Sequence, residues 1–490
     1  MTQSSPRTGR AARSLALAGG IVGALAVVEF ASGVLQGYYA PVLSDIARRL
    51  DILDADVNWL EAAQLLVSAI VVPVLAKLGD MLGHRRVLLW SLAVTALASW
   101  GVAVAPTFGT FLLLWALQGF YVVWLPLNVA IIFSRARRLP DTAALTRRAS
   151  GVIVVALQSG AIAGALLAGQ LGHLVPDLTV VLAVPALVVT IALVVVWRLV
   201  PDNPERAGGR LDTRGAVLLS LALLAVTGGL GMVRLNGITV WVVLLVLVGV
   251  AIGWVFVRVE LRTENPLVDM RLVARPALWP VFLTAGLFGV SVLGAQGPLS
   301  TFMRTDPDVY GYGLGLTSAA SSYIIGGYVL SVLVGAGVFA RVSALLTPRL
   351  VLVGAAALVA VGYLALVPFH HGVAQVLGGM VVAGLGSGAL VAALPAAAAA
   401  ATPPTQTAMA TGFTNTAKTV GGSFASSAFA LALASGVVIA ADGGPATAGS
   451  LSGYLITWLI CGGTALVAVV ALLFVPRVAF TSVPVEAAAG

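Results

Sequence analysis

Ala76-Lys77-Leu78-Gly79-Asp80-Met81-Leu82-Gly83-His84-Arg85-Arg86 separates two long apolar runs, residues 60–75 and 87–105. This short stretch combines an acid, glycine and a cluster of basic side chains. Two apolar runs joined by a short charged loop are the pattern of two membrane helices connected on one face of a bilayer. Apolar runs of similar length recur along the chain on both sides of that loop.

Composition names lipid as the main solvent. A soluble domain carries about 25% charged residues, whereas this chain of 490 residues is 59% hydrophobic and 9% charged. The net charge of +8 is spread through short loops and not gathered on one face, so no nucleic-acid partner is expected. The single cysteine, Cys461, falls in an apolar run; it allows no intrachain disulfide and is expected to be buried packing. No Gly-x-x-x-x-Gly-Lys-Ser/Thr loop is present. Energy for any transport must then come from an ion gradient or from the substrate itself, and no cofactor is expected. The adjacent pair His370 and His371 supplies too few ligands for a metal and reads as a solvated loop.

At about 20 apolar residues per spanning helix, the chain holds about fourteen spans. The first six begin near Leu15, Val57, Val87, Phe108, Ala149 and Thr179. Spans 7 and 8 begin near Gly215 and Val240, and spans 9 to 14 near Trp279, Leu316, Leu350, Val373, Asn415 and Leu451. The basic start, with Arg7, Arg10 and Arg13, could open a signal peptide; the length of the first apolar run favours a retained span. With the N-terminus inside, Lys77, Arg85, Arg86, Arg135, Arg137, Arg138, Arg206, Arg210, Arg258 and Arg477, among others, fall on the cytoplasmic side. Only Arg48, Arg49, Arg234 and Arg304 fall outside, as the positive-inside rule requires. Both termini are thus expected in the cytoplasm, and the protein in the inner (plasma) membrane. The expected division is a tail at 1–14, a six-helix half at 15–200, a linker at 201–214, two extra helices at 215–258, a linker at 259–278, a second six-helix half at 279–476 and a tail at 477–490. The 55 glycines cluster inside spans, as at Gly160/Gly164 and Gly384/Gly388. They read as close-packing surfaces or as hinges for alternating access.

In this setting the loop at 76–86 resembles the loop between helices 2 and 3 of the major facilitator superfamily. The chain as a whole resembles that superfamily's fourteen-span drug:proton antiporter branch. The family writes the loop Gly-x-Leu-Ala-Asp-Arg-x-Gly-Arg-Arg/Lys. Leu78, Asp80, Gly83, Arg85 and Arg86 match, while Ala76, Met81 and His84 depart from it. The resemblance implies a conformational gate in which the aspartate bridges to a neighbouring helix or loop; the plainer reading is a topology anchor. In span 4 the family's Arg-x-x-Gln-Gly reads Trp115-Ala116-Leu117-Gln118-Gly119, so the arginine's role does not carry over. In span 5 the antiporter motif keeps Gly160, Gly164 and Gly169 as a helix-packing motif, but Ala165 stands for proline and Ala168 for glycine. At the end of span 1, Ser32, Val34 and Gly37 take the places of the family's Asp, Thr and Asn. Asp212 and Gly215, the Asn265–Asp269 link, and Thr411 through Gly422 with Lys418 where arginine is usual, add to the likeness. The implied fold is all-α: two six-helix halves plus two additional central helices, fourteen transmembrane helices in total.

An ionisable residue inside a span is costly and marks a functional hypothesis. Glu29 lies deepest, and Glu61 follows near the outer end of span 2. Both are candidates for proton coupling. The rival readings are a structural carboxylate for Glu29 and an interfacial one for Glu61. Gln36, Gln64, Gln118, Tyr121, Trp124 and Asn128 are candidates for a substrate cavity, since aromatic and amide side chains suit amphipathic ligands. Gln158 and Gln296 join them. Tyr38 and Tyr39 fit either the cavity or an interfacial belt. The expected activity is proton-coupled export of hydrophobic or cationic drugs by alternating access, with no enzymatic chemistry. The expected partners are the lipid bilayer, a small-molecule substrate and protons, and the protein is expected to act as a monomer. Two alternatives stand beside it: a dedicated exporter or facilitator of one metabolite, lipid or self-made antibiotic, and a non-transporting sensor or scaffold.

Overall fold

The computed structural model describes residues 6–136, 142–202, 211–402, 407–436, 438 and 447–475. Most of the tails and of the first linker, with Arg137, Arg138, Arg206, Arg210 and Arg477, lies outside the described residues. Among these, thirteen helices are long and apolar enough to cross a membrane. A fourteenth of similar length, Thr407–Ala434, runs among them. At 1.5 Å per residue even the shortest, the 19-residue Pro348–Leu366, is about 28 Å long, close to the thickness of the hydrocarbon core of a bilayer.

Spans 1 to 3 are Pro6–Tyr38, Val57–Leu82 and His84–Val104. A short helix, Leu43–Leu50, lies between the first two. Span 4 is broken into Phe108–Gln118, a 3-10 stretch Gly119–Val123, and Trp124–Ala136. Spans 5 and 6 are Thr142–Leu174 and Leu178–Leu199, and spans 7 and 8 are Thr213–Asn236 and Val240–Glu260. Span 9 is also broken: Trp279–Gly289, a π turn at Val290–Gly294, then Gln296–Arg304. Spans 10 to 14 are Ser318–Leu345, Pro348–Leu366, Val373–Ala400, Thr407–Ala434 and Leu451–Leu473. Side chains just before the helices cap them. Asp177 accepts from the Thr179 N–H at 2.8 Å, Asp212 from Gly215 at 2.8 Å, and Ser450 from Gly453 at 3.1 Å.

Local chemistry accounts for the break in span 4. Pro126 has no N–H to return to the preceding turn. Seven residues earlier, Gly119 lies against span 2, where an added Cβ would come within 2.8 Å of the Ser68 hydroxyl. That hydroxyl donates to the Gly119 carbonyl at 2.9 Å. In span 9, Pro298 follows the π turn, so the freed carbonyls lie in a stretch already off the regular ladder.

The buried apolar side chains gather in two clusters. One holds residues from Ile21 to Val200, the other mainly residues from Leu272 to Val475. Spans 7 and 8 pair with each other along Gly229 and Gly249, where Val246 and Val226 fill the space that a Cβ would need. Span 7 also touches spans 2 and 13, so this pair stands beside the seam between the clusters. Leu221, Leu224, Trp241, Leu247 and Trp254 on the pair are left uncovered, as a lipid-facing surface requires.

The structure departs from the sequence expectations at two places. His370 is not solvated: it is 7% exposed, with its Nδ1 2.9 Å from the Val367 carbonyl and its ring against Phe302 and Trp458. Span 13 begins at Thr407, ahead of Asn415. Its first two turns carry Thr407, Thr411, Gly412 and Thr414, which a search for apolar runs passes over.

Candidate functional site

Glu29 sits mid-helix in span 1 and is completely buried. Asn128, from the second segment of span 4, donates to Glu29 Oε1 at 2.7 Å. The other carboxylate oxygen, Oε2, has no partner, and neither does Asn128 Oδ1. Two acceptors therefore lie unserved in one dry place, with no cation bonded to the carboxylate among the described residues. Glu61, one turn into span 2, is partly exposed near Tyr121 and has no hydrogen-bond or ion-pair partner among the described residues.

The polar candidates of the first half divide by accessibility. Gln36 is exposed and donates to Ser32 Oγ at 3.3 Å, and Gln64 is partly exposed. Gln118 is buried and donates to the Tyr39 hydroxyl at 2.8 Å and to Ser99 Oγ at 3.0 Å. Gln64 and Gln118 are only 3.5 Å apart. Trp124 is buried with its indole N–H on Ser91 Oγ at 3.0 Å, and Tyr121 meets it edge-on at 6.2 Å. In this conformation Gln118 and Trp124 hold the bundle together and present no open face. Tyr38 and Tyr39 are also buried; the Tyr38 hydroxyl donates to the Val181 carbonyl at 2.7 Å, tying span 1 to span 6.

The glycine motif of span 5 is a helix seam. A Cβ at Gly160 would lie 2.9 Å from the Phe30 carbonyl carbon, and one at Gly164 would lie 3.0 Å from Val34 Cα. Gly33 and Gly37 answer from span 1, where a Cβ would meet Ala161 at 2.7 Å and 2.9 Å. Gly169 faces the other half, 2.7 Å from the Ser318 carbonyl by the same measure.

The loop at 76–86 folds back on its own half. Leu78 packs against the first core, and Gly83 turns the chain at φ 105°, a conformation that L side chains rarely adopt. Arg85 donates to the carbonyls of Val200 and Trp197, the latter at 3.0 Å, so its charge caps the C-terminus of span 6. Arg86 pairs with Asp202 at 3.4 Å. Asp80 is exposed, and its partner is His84 of the same turn, at 3.1 Å. Because of the Gly83 turn, Gly83→Ala should lower stability by about 1–2 kcal/mol. Gly151→Ala is the control: it is helical, with nothing within 4 Å of its Cβ position, and should be neutral or slightly stabilising. Thermal unfolding of the solubilised protein measures both; equal melting temperatures would refute the strain at Gly83.

At the end of the bundle away from Asp80, bonds join the two halves. Arg304 Nη2 donates to Asp45 Oδ1 at 2.8 Å, and Arg48 reaches the same oxygen. Ser300 donates to the Ala40 carbonyl, Ser423 to the Ala62 carbonyl at 2.9 Å, Ser318 to the Gly169 carbonyl at 3.1 Å, and the Asp54 N–H to the Thr447 carbonyl at 2.9 Å. Span 2 against span 13 and span 5 against span 10 carry most of this contact. Among the described residues, no group of three or more His, Cys, Asp or Glu is placed to hold a metal.

The arrangement of two helical halves around a seam can be compared with known proteins. The family model described as Major Facilitator Superfamily matches residues 25–426. The chain belongs to the Major Facilitator Superfamily. It is therefore an integral membrane transporter and not an enzyme. Among curated relatives, the multidrug efflux pump LfrA of Mycolicibacterium smegmatis is 26% identical over 67% of this transporter and 63% of its own length. The methyl viologen resistance protein SmvA of Salmonella typhimurium is 25% identical over 60% of this chain and 56% of its own. The multidrug resistance protein B homolog of Mycobacterium tuberculosis is 27% identical over 59% and 54%. The matched stretch thus spans between half and two thirds of these relatives. Of solved structures, a POT family transporter bound to a thioalcohol-conjugated peptide superposes with a TM-score of 0.66 at 15% identity, covering 92% of this chain and 95% of that one. The nucleoside transporter NupG gives 0.62 at 13%, covering 92% and 99%.

Three features of this transporter were not readable beforehand as site residues. Arg304 and Asp45 are a cross-half pair, yet Arg304 counted in the sequence only as an outer-loop charge. Asn58 is wholly buried beside Gly297 of the other half with its Oδ1 unpartnered. Lys418 stands mid-helix in span 13. For Lys418 the signal was present, an ionisable residue inside a span, but the low hydropathy of that stretch obscured it.

Proposed function

We propose that the protein exports hydrophobic, cationic compounds across the plasma membrane in exchange for protons, with Glu29 as the coupling carboxylate. The observation that carries this is the state of Glu29: fully buried, served by one amide, with one oxygen unpartnered. An ionised carboxylate in so dry a place is expensive unless fully paired. A proton on the carboxyl, or a cation beside it, removes that cost, and the two compete for one group. Glu61, also unpaired and partly exposed, is the second carboxylate on the path. The relatives named for multidrug efflux and methyl viologen resistance support the substrate class, methyl viologen being an organic dication.

In this reading the loop 76–86, rich in basic residues, lies in the cytoplasm together with both termini, and the end tied by Arg304 and Asp45 faces outward. The structure then corresponds to a transporter closed outside. Asp80, with Leu78, Gly83, Arg85 and Arg86, forms the inner gate, and the exposed Asp80 waits for a partner in the opposite state. The protein works as a monomer within the lipid bilayer.

The test uses the purified full chain in liposomes with a pH-sensitive dye inside and an imposed proton gradient. A panel of lipophilic cations that includes methyl viologen should drive proton movement in the wild type. Glu29→Gln should reduce it to the level of empty liposomes. If no cation moves protons, proton-coupled drug export is wrong; if Glu29→Gln behaves as wild type, the residue is wrong. A response to one compound alone would favour a dedicated carrier.

A further inference from the structure

Asp54 opens a short turn, Asp54–Asp56, in the loop ahead of span 2. Its backbone is tied across the seam between the halves. The Asp54 N–H donates to the Thr447 carbonyl at 2.9 Å, and the Thr447 N–H donates in turn to the Tyr310 hydroxyl at 3.2 Å. Asp54 is thus held against the second half only while this end of the molecule is shut.

Its carboxyl group stands among charges that are already engaged with one another. Helix Leu43–Leu50 brings Asp45 and Arg48 near it, and span 9 brings Arg304. Both guanidiniums bind Asp45 Oδ1, and Asp54 has no ion pair of its own among the described residues. From the second half Tyr312 and Tyr454 approach the carboxyl group. Neither hydroxyl serves it: Tyr312 donates to the Gly449 carbonyl at 2.5 Å, and Tyr454 to Thr301 Oγ1 at 3.0 Å. Span 13 packs on the same turn, and its outer end, residues 423–434, carries no charged side chain. On the turn itself Asp56 accepts from the Leu53 N–H at 3.3 Å, and Glu61 of span 2 stands by Tyr121.

Burial at this junction pushes the Asp54 pKa from the ordinary 3.8 up to about 6, against the pull of Arg48 and Arg304. Opening the end would part Asp54 from Thr447 and the two tyrosines and return its carboxyl group to water, where the ordinary value applies. The shut state therefore binds the proton more tightly than the open one. By linkage the bound proton favours the shut state. That benefit is complete below the open-state value and is lost as pH rises through about 6.

We propose that Asp54 is a second proton-binding site, set in the seam outside the membrane spans, and that a proton taken up there latches the outer end shut. This proton comes from and returns to the same side, so it is not itself carried across. Its effect is to turn the transporter inward when the outside is acidic. The proposal rests on the orientation and alternating access given above, and on neither the substrate nor Glu29.

Spin labels on cysteines at Pro106 and Phe369 report the width of that end in a Cys461→Ser background. Both positions are exposed, in loops of opposite halves. Double electron–electron resonance on the full chain in lipid nanodiscs gives the ratio of shut to open distances. Both faces meet the same buffer there, so the result does not depend on which end lies outside. From about pH 7.5 to about pH 5 the ratio should rise about tenfold in the wild type. Asp54→Asn and Asp54→Ala, uncharged at every pH, should be shut at both and lose that rise, whereas Asp54→Glu should keep it. Two neutral variants guard against misfolding of either one. An unchanged ratio in the wild type, or the same rise in the neutral variants, would overturn the latch. Cation-driven proton movement in liposomes is measured beside it. Its presence without the pH-dependent closure would remove the latch alone; its absence with the closure intact would uphold the latch and remove the export reading.

Discussion

Gly160→Leu should leave almost no folded transporter in the membrane. A side chain at Gly160 meets not a flexible neighbour but the backbone of span 1, with the Phe30 carbonyl carbon 2.9 Å from the added Cβ. Span 1 cannot move away, because Gly33 and Gly37 bring its own backbone against Leu157 and Ala161 of span 5 over two further turns. In lipid the contact has no hydrophobic driving force to replace it; close van der Waals packing is what holds the helices together. Overpacking of this kind costs about 3 kcal/mol or more, a large share of the 5–15 kcal/mol typical of a fold. Gly151→Leu on the same helix, where no atom lies within 4 Å, should be tolerated. Size-exclusion profiles of fluorescently tagged protein compare the two. A monodisperse Gly160→Leu at wild-type yield would show that the seam between spans 1 and 5 does not support the fold.

Asp45→Arg should open the end of the molecule that is closed in this structure. It removes the acceptor for Arg304 and sets two guanidiniums against each other across the halves. The side chains are 11% and 19% exposed, so solvent screens the pair only in part. Losing a charge-assisted bond of this kind costs about 2 kcal/mol, a shift of about thirtyfold between the two closed ends. The double variant Asp45→Arg/Arg304→Asp should recover most of it, whereas Arg304→Ala alone should not. Labelling of a cysteine placed at Ser300, in a Cys461→Ser background, reports the opening. Ser300 is 1% exposed and donates to the Ala40 carbonyl across the seam. A labelling rate unchanged by Asp45→Arg would show that the remaining bonds, Ser423 to Ala62 and Ser318 to Gly169, hold that end by themselves.

Much of this protein was legible because membrane helices announce themselves locally. The loop at 76–86 and the glycines of span 5 each act within a few residues of their own position; the caps Asp177, Asp212 and Ser450 came from the structure. Span 13 was harder: Thr411, Asn415, Lys418, Ser423 and Ser427 dilute its hydropathy, since a helix packed between spans 2, 9 and 12 need not be apolar all round. The breaks in spans 4 and 9 were not foreseen in the sequence. Gly119 and Pro126 mark a weak point in span 4, but that span 4 tightens to a 3-10 stretch while span 9 widens to a π turn depends on what lies opposite each.

The site divides the same way. Glu29 could be picked from the sequence because a carboxylate in an apolar run is rare and costly. That Asn128, 99 residues away, would be its one donor could not, nor that Gln118 and Trp124 would spend their N–H groups inside the bundle. Asp45 and Arg304, 259 residues apart, meet only because two separately packed halves come together at one end. The sequence by itself determined the class, the number and order of the helices, and the ionisable residues they carry. Hydropathy, caps and close-packing glycines are short-range properties, and the bilayer enforces them one helix at a time. Only the tertiary structure decided which charges are paired, which stand alone and which end is shut. Those depend on distances between helices far apart in the chain, and no local pattern encodes such a distance.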